Sequence, residues 1–196
     1  MSLLRSSYFF LLLTALFSCK QNDIAGEKVF YDIDSLLTVQ EKYLAESKPI
    51  LFKRANLGDQ LDSIKVSGLD TTAWSTEFEI FRQLDLNKKS VNKENYTIRK
   101  NIRDPYSNLL ICEYTAKSDL PVKRVKIYYQ QRLTNPRRIE GDFSEQNGLY
   151  KSTRYMLMEL NNIHNKTLVT RYTITGGQKM ILGDSVEFEI TGIVTH

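Results

Sequence analysis

Basic and tyrosine side chains are concentrated in the stretch VKRVKIYYQQRLTNPRRIE at 122–140. Strand alternation would put every second side chain on one face, and the turn Thr134-Asn135-Pro136 would bring a second strand alongside. Guanidinium and ammonium groups beside tyrosine bind phosphates and carboxylates, so the ligand would be another protein or an anionic lipid. The alternative is that these cations only protect the outer face of a sheet. The candidate partner-binding patch consists of Arg124, Lys126, Tyr128, Arg137 and Arg138.

Residues suited to catalysis or metal binding are few. The chain has two histidines, His164 in the polar segment NNIHNK and His196 at its last position. Neither belongs to a spaced set of His, Cys and acidic residues of the kind that holds zinc. No G-x-S-x-G motif offers a nucleophilic serine. We therefore expect no catalytic residue, no metal site and no enzymatic activity.

Pairs of acidic residues cleave glycosidic bonds when two carboxylates stand about 5–10 Å apart across a cleft. Glu187 and Glu189 alternate with apolar residues near the end of the chain. Glu140, Asp142 and Glu145 are the other acids considered for this role. A solvated sheet face explains both sets better than a catalytic pair does.

The net charge of the chain bears on whether it binds nucleic acid. The chain has 27 basic and 23 acidic residues and a net charge of +4. This excess is smaller than that of a nucleic-acid-binding domain, so no nucleic-acid partner is expected. The length suits one domain with its own core. The oligomeric state is left open by the sequence.

Cys112 lies in the segment LLICEYTAK, where alternation puts it on one strand face with Leu110, Tyr114 and Ala116. A thiol in such a position behaves as a small buried hydrophobe. Activation of the thiol for catalysis would need a nearby histidine, and the chain has few. We expect Cys112 to be inert.

Cys19, the other cysteine, follows an N-terminal targeting segment. Arg5 supplies a positive charge, and an apolar run from Tyr8 to Phe17 follows, interrupted only by Thr14. This arrangement is typical of a secretory signal peptide. It is shorter than the about 20 residues that a membrane-spanning helix requires. We expect residues 1–18 to be a cleaved signal peptide.

The residues Leu16-Phe17-Ser18-Cys19 resemble the lipobox of bacterial lipoproteins. The resemblance implies cleavage between Ser18 and Cys19, and a diacylglycerol thioether on the Cys19 sulfur, which would be the only prosthetic group. A thiolate is the nucleophile that takes such a lipid, and two or three acyl chains hold a protein firmly on a membrane. Because Lys20 is not the aspartate that favours inner-membrane retention, the outer membrane is expected. Ordinary secretion with a free cysteine is the alternative.

Residues 19–31 are expected to form a polar tether, and residues 32–196 a single domain. The segment DIDSLLTVQEKYLAES has apolar residues at helical spacing, with Asp32 or Asp34 as its N-cap and Pro49 beyond its end. The segment that begins at Leu69 predicts a second helix, capped by Thr71 or Thr72. Its apolar stripe is expected to face the core and consists of Trp74, Phe78, Phe81 and Leu84.

Between the helices, the segment 49–68 predicts a hairpin around Gly58. From Tyr96 onward the hydrophobic period changes to two, and turn residues separate the apolar runs. The predicted class is α+β, with two helices and the hairpin packed on a seven-stranded antiparallel meander. Its strands are predicted at about 96–102, 109–117, 122–131, 137–144, 150–160, 167–175 and 185–194.

The order helix, hairpin, helix and β-meander behind a lipobox resembles a group of uncharacterised Bacteroidota lipoproteins. The resemblance extends over most of the mature chain. It implies a fold and a location in the cell envelope, lipid-anchored to a membrane, and implies no activity.

Two functions are compatible with these features. The first is a non-catalytic binding or assembly module of the cell envelope that docks another envelope component. The second is a carrier of a lipid-like apolar ligand, because a curved sheet capped by helices can enclose a hollow. The residues that would line that hollow, or else belong to the packed core, are Phe143, Met156, Met158, Leu160 and Met180.

Overall fold

The computed structural model describes residues 28–88, 93–180 and 183–196. Nine strands in this part of the chain form one antiparallel sheet, in the order β2-β1-β9-β8-β7-β6-β5-β4-β3. The predicted α+β class is therefore confirmed. The strands are β1 (Ile50–Leu57), β2 (Gln60–Ser67), β3 (Tyr96–Arg103), β4 (Leu110–Ala116), β5 (Val122–Tyr129), β6 (Pro136–Gln146), β7 (Tyr150–Ile163), β8 (Lys166–Met180) and β9 (Ser185–Thr195).

In the described part of the chain, two α-helices cover the sheet, α1 (Ile33–Ser47) and α2 (Thr71–Arg82), and a 3-10 turn lies at Lys93–Asn95. Asp32 caps α1, as predicted, by accepting a hydrogen bond from the Ser35 backbone N–H. The prediction of a threonine cap for α2 is wrong, because the carboxylate of Asp70 accepts the Ala73 N–H at 2.8 Å. Asp70 has the extended backbone typical of an N-cap.

The predicted hairpin is part of the sheet, which corrects the expected seven strands to nine. Strand β1 pairs with β9 from Ile50–Thr195 to Leu57–Phe188, without interruption. Strand β2 pairs only with β1 and forms one edge of the sheet. The local pattern predicted the hairpin but did not indicate its partner, since β1 and β9 lie near opposite ends of the described chain.

Both helices lie on one side of the sheet, here called the helix-side face. The predicted aromatic stripe of α2 is buried there. Tyr172 of β8 contacts Phe78 and Phe81 edge to face, with ring centroids 6.2 and 5.9 Å apart. Leu84 fills the space next to the backbone of Gly141 in β6, where a larger residue would collide with it. The stripe is therefore core, as predicted.

Buried polar groups fix the helices in place. Arg82 of α2 forms ion pairs with Asp34 and Glu41 of α1, the latter at 2.6 Å. The buried side chain of Gln40 binds strand β8, donating to the Thr167 carbonyl and accepting the Val169 N–H, both at 2.9 Å. These contacts satisfy strand groups that the sheet leaves unpaired at this point, so α1 acts as a cover for the end of β8.

Residues 29–31, expected at the end of the tether, pack against the domain. The ring of Phe30 lies edge-on to Tyr96 and Tyr114, with centroids 5.7 and 5.6 Å away. The Tyr31 backbone N–H donates to the Tyr114 hydroxyl at 3.1 Å. The chain therefore enters the domain on the β3–β4 side of the sheet. The predicted signal peptide, Cys19 and the predicted tether as far as residue 27 lie outside the described residues.

Candidate functional site

The sheet has a second face on which no helix of the described chain packs, here called the open face. Directly opposed residues in neighbouring strands share a face. Tyr172, which contacts α2, is opposed by Met158 and Gly192, so all three belong to the helix-side face. The alternate positions of each strand belong to the open face.

The open face holds four of the five residues of the predicted patch. Arg124, Lys126 and Tyr128 alternate along β5, and Tyr128 is opposed by Arg138 of β6. The Arg138 guanidinium lies 3.9 Å from the centroid of the Tyr128 ring. Arg137 has no partner in β5, because the register shifts at this point, and it lines a separate pocket with Gln130 and Asn135. The structure therefore brings four predicted residues together and separates the fifth.

Carboxylates balance the charge of this patch. Arg124 Nε donates to Asp142 at 2.8 Å. Arg138 lies 3.3 Å from Glu140 and 3.6 Å from Asp104. Glu140 and Asp142, which the sequence assigned to a solvated face, stand directly opposite the patch cations in the neighbouring strand. Little net positive charge is left in this part of the open face to attract an anionic partner.

Tyr128 packs within the protein. Its ring is 5% exposed, and its hydroxyl donates to Glu140 at 2.9 Å. Burial, followed by this hydrogen bond to a carboxylate, raises the pKa of Tyr128 above its usual value. Asp104 is also buried and anchors the loop after β3 by accepting the Ser107 hydroxyl at 2.6 Å. This half of the open face is therefore a closed polar cluster.

The other half of the open face, formed by β8, β9, β1 and β2, carries a groove of about 530 Å³. Its apolar surface includes Phe52 and Ile193, which oppose each other and are 42% and 38% exposed. Cationic side chains surround them. Those that line the groove on the open face are Arg54, Lys65 and Arg171.

Two of these cations lack a carboxylate partner. Arg54 makes no hydrogen bond or ion pair within the described chain, and Lys65 only lies over the Phe52 ring, 5.2 Å from its centroid. Arg171 stands 3.7 Å from Glu159. Glu189 also lines the groove and brings an acidic group to it. The groove therefore combines exposed apolar surface with cations whose charge is available to a ligand.

Contacts on the helix-side face hold this half of the sheet to α2. Lys53 of β1 forms an ion pair with Glu77 at 2.8 Å, and the Tyr172 hydroxyl donates to the same carboxylate. Gly192 of β9 leaves room for the Tyr172 ring, because a Cβ at that position would overlap it. The hairpin is thus fixed from one side while its open face is left uncovered.

The residues of the groove were not singled out by the sequence analysis. Alternation in the predicted hairpin does place Phe52 and Arg54 on one face, and a turn at Gly58 returns Lys65 to the position opposite Phe52. The missing information was that β9 continues the sheet beyond β1. Without Ile193 and Arg171 at its other side, the hairpin shows no groove.

The hollow expected for a lipid carrier is filled by side chains. Met156, Met158 and Leu160 are at most 1% exposed and belong to the packed core beneath the helices. Met180 lies at the end of β8 and is 45% exposed. Met156, Met158 and Leu160 are therefore packed core, which was the alternative to a hollow, because β7 uses its inward side chains for packing.

Phe143 lines a different, mostly apolar pocket of about 530 Å³ at the end of α2. Pro121, Val122 and Tyr96 contribute to its walls, and Arg154 lies over the Phe143 ring, 5.2 Å from its centroid. Polar groups stand at the rim of this pocket, which opens to solvent. It could hold an apolar group, although it is not the cavity that the sequence suggested.

Cys112 and His164 lie where the sequence predicted, the first in a strand and the second in a turn. Cys112 is fully buried, and burial raises the pKa of its thiol. His164 occupies an exposed turn with a φ of 48°. The imidazole of His196 lies 3.1 Å from the Val169 carbonyl. Among the described residues, no three His, Cys, Asp or Glu side chains are grouped to hold a metal ion.

Comparisons with protein-family models, with curated proteins and with solved structures found no match. No helix within the described ranges has both the length and the apolar composition required to cross a membrane. Function is therefore inferred from the groove and from the exposed strands beside it.

Proposed function

We propose that this protein is a non-catalytic binding module of the bacterial cell envelope, held on a membrane by lipid on Cys19. The observation that supports a binding role is the groove on the open face. It joins the exposed apolar side chains of Phe52 and Ile193 to the unpaired cations Arg54 and Lys65. Exposed apolar surface with a charged rim is typical of an interaction site. The originally predicted patch, with its charges neutralised, is the weaker candidate.

The chain enters the domain and carries the groove on different halves of the sheet. The chain enters the domain beside Tyr96 in β3, whereas the groove is bordered by β2. Strand β8, the groove strand nearest to β3, is five strand spacings from it, which corresponds to about 24 Å along the sheet. A lipid on Cys19 would therefore leave the groove accessible to another envelope component. Location at the outer membrane is part of the proposal and rests on the lipobox and Lys20.

The proposal is tested by photo-crosslinking in intact bacterial cells. A photoreactive residue at Thr191, in the groove, should give an adduct of one discrete mass. The same residue at Val39, exposed on α1, should give none. The yield should fall in the double variant Arg54→Glu, Lys65→Glu. Equal adducts at both positions, or a yield unaffected by charge reversal, would contradict the assignment of the groove.

The anchor is tested separately by Cys19→Ala, with Cys112→Ala as the matched control. Because acylation requires the Cys19 thiolate, the Cys19 variant should leave the membrane fraction and the control should remain there. If both variants stay in the membrane fraction, the lipid anchor is excluded.

Binding of a small apolar ligand is a second candidate, favoured by the pocket beside Phe143. Native mass spectrometry of residues 20–196, expressed without the anchor, should then show a lipid-sized mass that is lost on denaturation. Phe143→Ser should abolish the bound mass and Met180→Ser should not, since only Phe143 lines the pocket. A protein detected only at its bare mass would remove this candidate.

A further inference from the structure

Strand β2 forms one edge of the sheet, and its charged side chains are Asp62 and Lys65. It pairs with β1 from Ile50–Ser67 to Leu57–Gln60 without a shift of register. It contains no proline, and only Val66 among its side chains is partly buried. In such a strand, alternate backbone N–H and C=O groups point away from the sheet and can accept another strand.

The opposite edge, β3, is closed. Its pairing with β4 shifts between Arg99 and Ile102, and Asn101 at this bulge has a φ of 59°. The Tyr129 hydroxyl fixes the bulge by donating to the Asn101 side chain at 2.7 Å. A bulge bends a strand and interrupts its row of hydrogen-bonding groups, which prevents edge-to-edge pairing. The same sheet therefore protects one edge and leaves the other available.

We propose that the β2 edge binds an extended, acidic segment of another protein, which adds to the sheet as a tenth strand. This inference names the partner of the binding module and rests on that proposed function. Hydrogen bonds along the added strand would supply affinity, and the side chains on either face of β2 would supply specificity.

Charge on the open face selects an acidic segment. A strand beside β2 would place alternate side chains next to Lys65 and Ser63, with the unpaired Arg54 one strand further in. Carboxylates at those positions would complement both cations. The intervening side chains would lie beside Ile64 and Val66 on the other face, where apolar residues fit. The expected ligand alternates acidic and apolar residues.

A second copy of this chain fits the edge less well. Two antiparallel copies of β2 related by a two-fold axis keep like faces together, so only residues of the same face can oppose each other. Asp62 and Lys65 lie on different faces of β2 and can never pair in such a dimer. A register centred on Ser63 would instead oppose Leu61 to Lys65. Self-pairing therefore gains no charge complementarity.

The test measures fluorescence anisotropy of a labelled seven-residue peptide that alternates glutamate and valine, titrated with residues 20–196. A peptide with lysine in place of glutamate is the matched control. Ser63→Pro blocks the edge, because proline has no N–H to donate to an added strand. It should leave the β1–β2 pairing intact, because the Ser63 N–H donates to the Asp62 side chain at 2.7 Å rather than to β1. The double variant Arg54→Glu, Lys65→Glu keeps the edge and reverses its charge.

The acidic peptide should bind at least about tenfold more tightly than the basic one, and Ser63→Pro should weaken it at least about tenfold. Charge reversal should invert the preference. Equal binding of both peptides, or full binding by a folded Ser63→Pro variant, would overturn the proposal. A dimer that Ser63→Pro abolishes would identify a second copy as the occupant. If crosslinking at Thr191 persists without peptide binding, the strand proposal alone fails.

Discussion

The two edges of this sheet differ in what surrounds them. At the β3 edge, Phe30 packs against Tyr96 and Tyr114, and a bulge at Asn101 interrupts the strand. At the β2 edge, side chains are exposed and the register is regular. The β3 side is packed and interrupted by a bulge, and the regular, exposed β2 side is the one that we propose for recognition. Changes at each edge should therefore have different consequences.

The largest effect on stability is expected for Phe30→Ala on the β3 side. Removing a buried aromatic ring that contacts two tyrosines should lower the free energy of unfolding by about 3 kcal/mol. Urea denaturation measures the loss. Tyr106→Ala is the control, because that ring is 94% exposed and should change stability by less than about 0.5 kcal/mol. Equal losses in both variants would mean that Phe30 does not seal the β3 side.

A smaller loss, about 2 kcal/mol, is expected for Gly192→Ala in β9, which joins the hairpin to the rest of the sheet. The new Cβ would overlap the Tyr172 ring and force β9 away from β8. Hydrogen exchange should rise in β1 and β2 and remain unchanged in β3. Gly177→Ala is the control on the same pair of strands, because its Cβ would meet only ordinary contacts, the nearest at 3.7 Å. A Gly192→Ala variant as stable as the control would contradict the packing.

Alkaline pH should weaken the packing of Tyr31 against strand β4. Burial raises the pKa of the Cys112 thiol and of the Tyr31 and Tyr114 hydroxyls above their ordinary values of 9.0 and 10.0. The folded state therefore retains protons that the unfolded chain loses. The stabilisation is complete below about pH 9 and falls as pH rises through the raised values.

The measurement is the free energy of urea unfolding between about pH 8 and pH 11. Tyr114→Phe removes one of the titrating groups and should flatten the decline. If the decline is unchanged in Tyr114→Phe, titration at this cluster does not control alkaline stability.

The smallest effect on stability is expected for Asp62→Ala on the β2 edge. This change frees the Ser63 N–H from its side-chain acceptor and should alter the free energy of unfolding by less than about 0.5 kcal/mol. Because the edge then presents one more free donor, binding of the acidic peptide should strengthen about threefold. Weaker binding would indicate that Asp62 itself contacts the ligand.

Local sequence patterns predicted much of the fold. Apolar residues at helical spacing located both helices, and period-two alternation located the strands from β3 to β9. The cap of α2 was misplaced because Asp70 and the two following threonines are all good capping residues, and only the backbone decides between them. The lengths of β7 and β8 were underestimated, because their polar ends pair with each other beyond the apolar part.

The groove could not be predicted because it depends on a pairing between distant segments. Phe52 and Arg54 are visible in the sequence, but their neighbours Ile193 and Arg171 become adjacent only through the β1–β9 ladder. The predicted patch shows the opposite case. Three of its four cations are close together, yet Asp104, Glu140 and Asp142 neutralise them. Proximity in the sequence showed where cations are clustered. It did not show which of them lack a carboxylate partner in the fold.

Hydrogen exchange of residues 20–196, with and without the glutamate–valine peptide, tests the proposed role of the β2 edge most directly. The account predicts new protection confined to 60–67, with no change at the β3 edge in 96–103. It also predicts that Ser63→Pro removes this protection while the rest of the sheet exchanges as before. Protection at the β3 edge, or binding without protection of β2, would contradict the account.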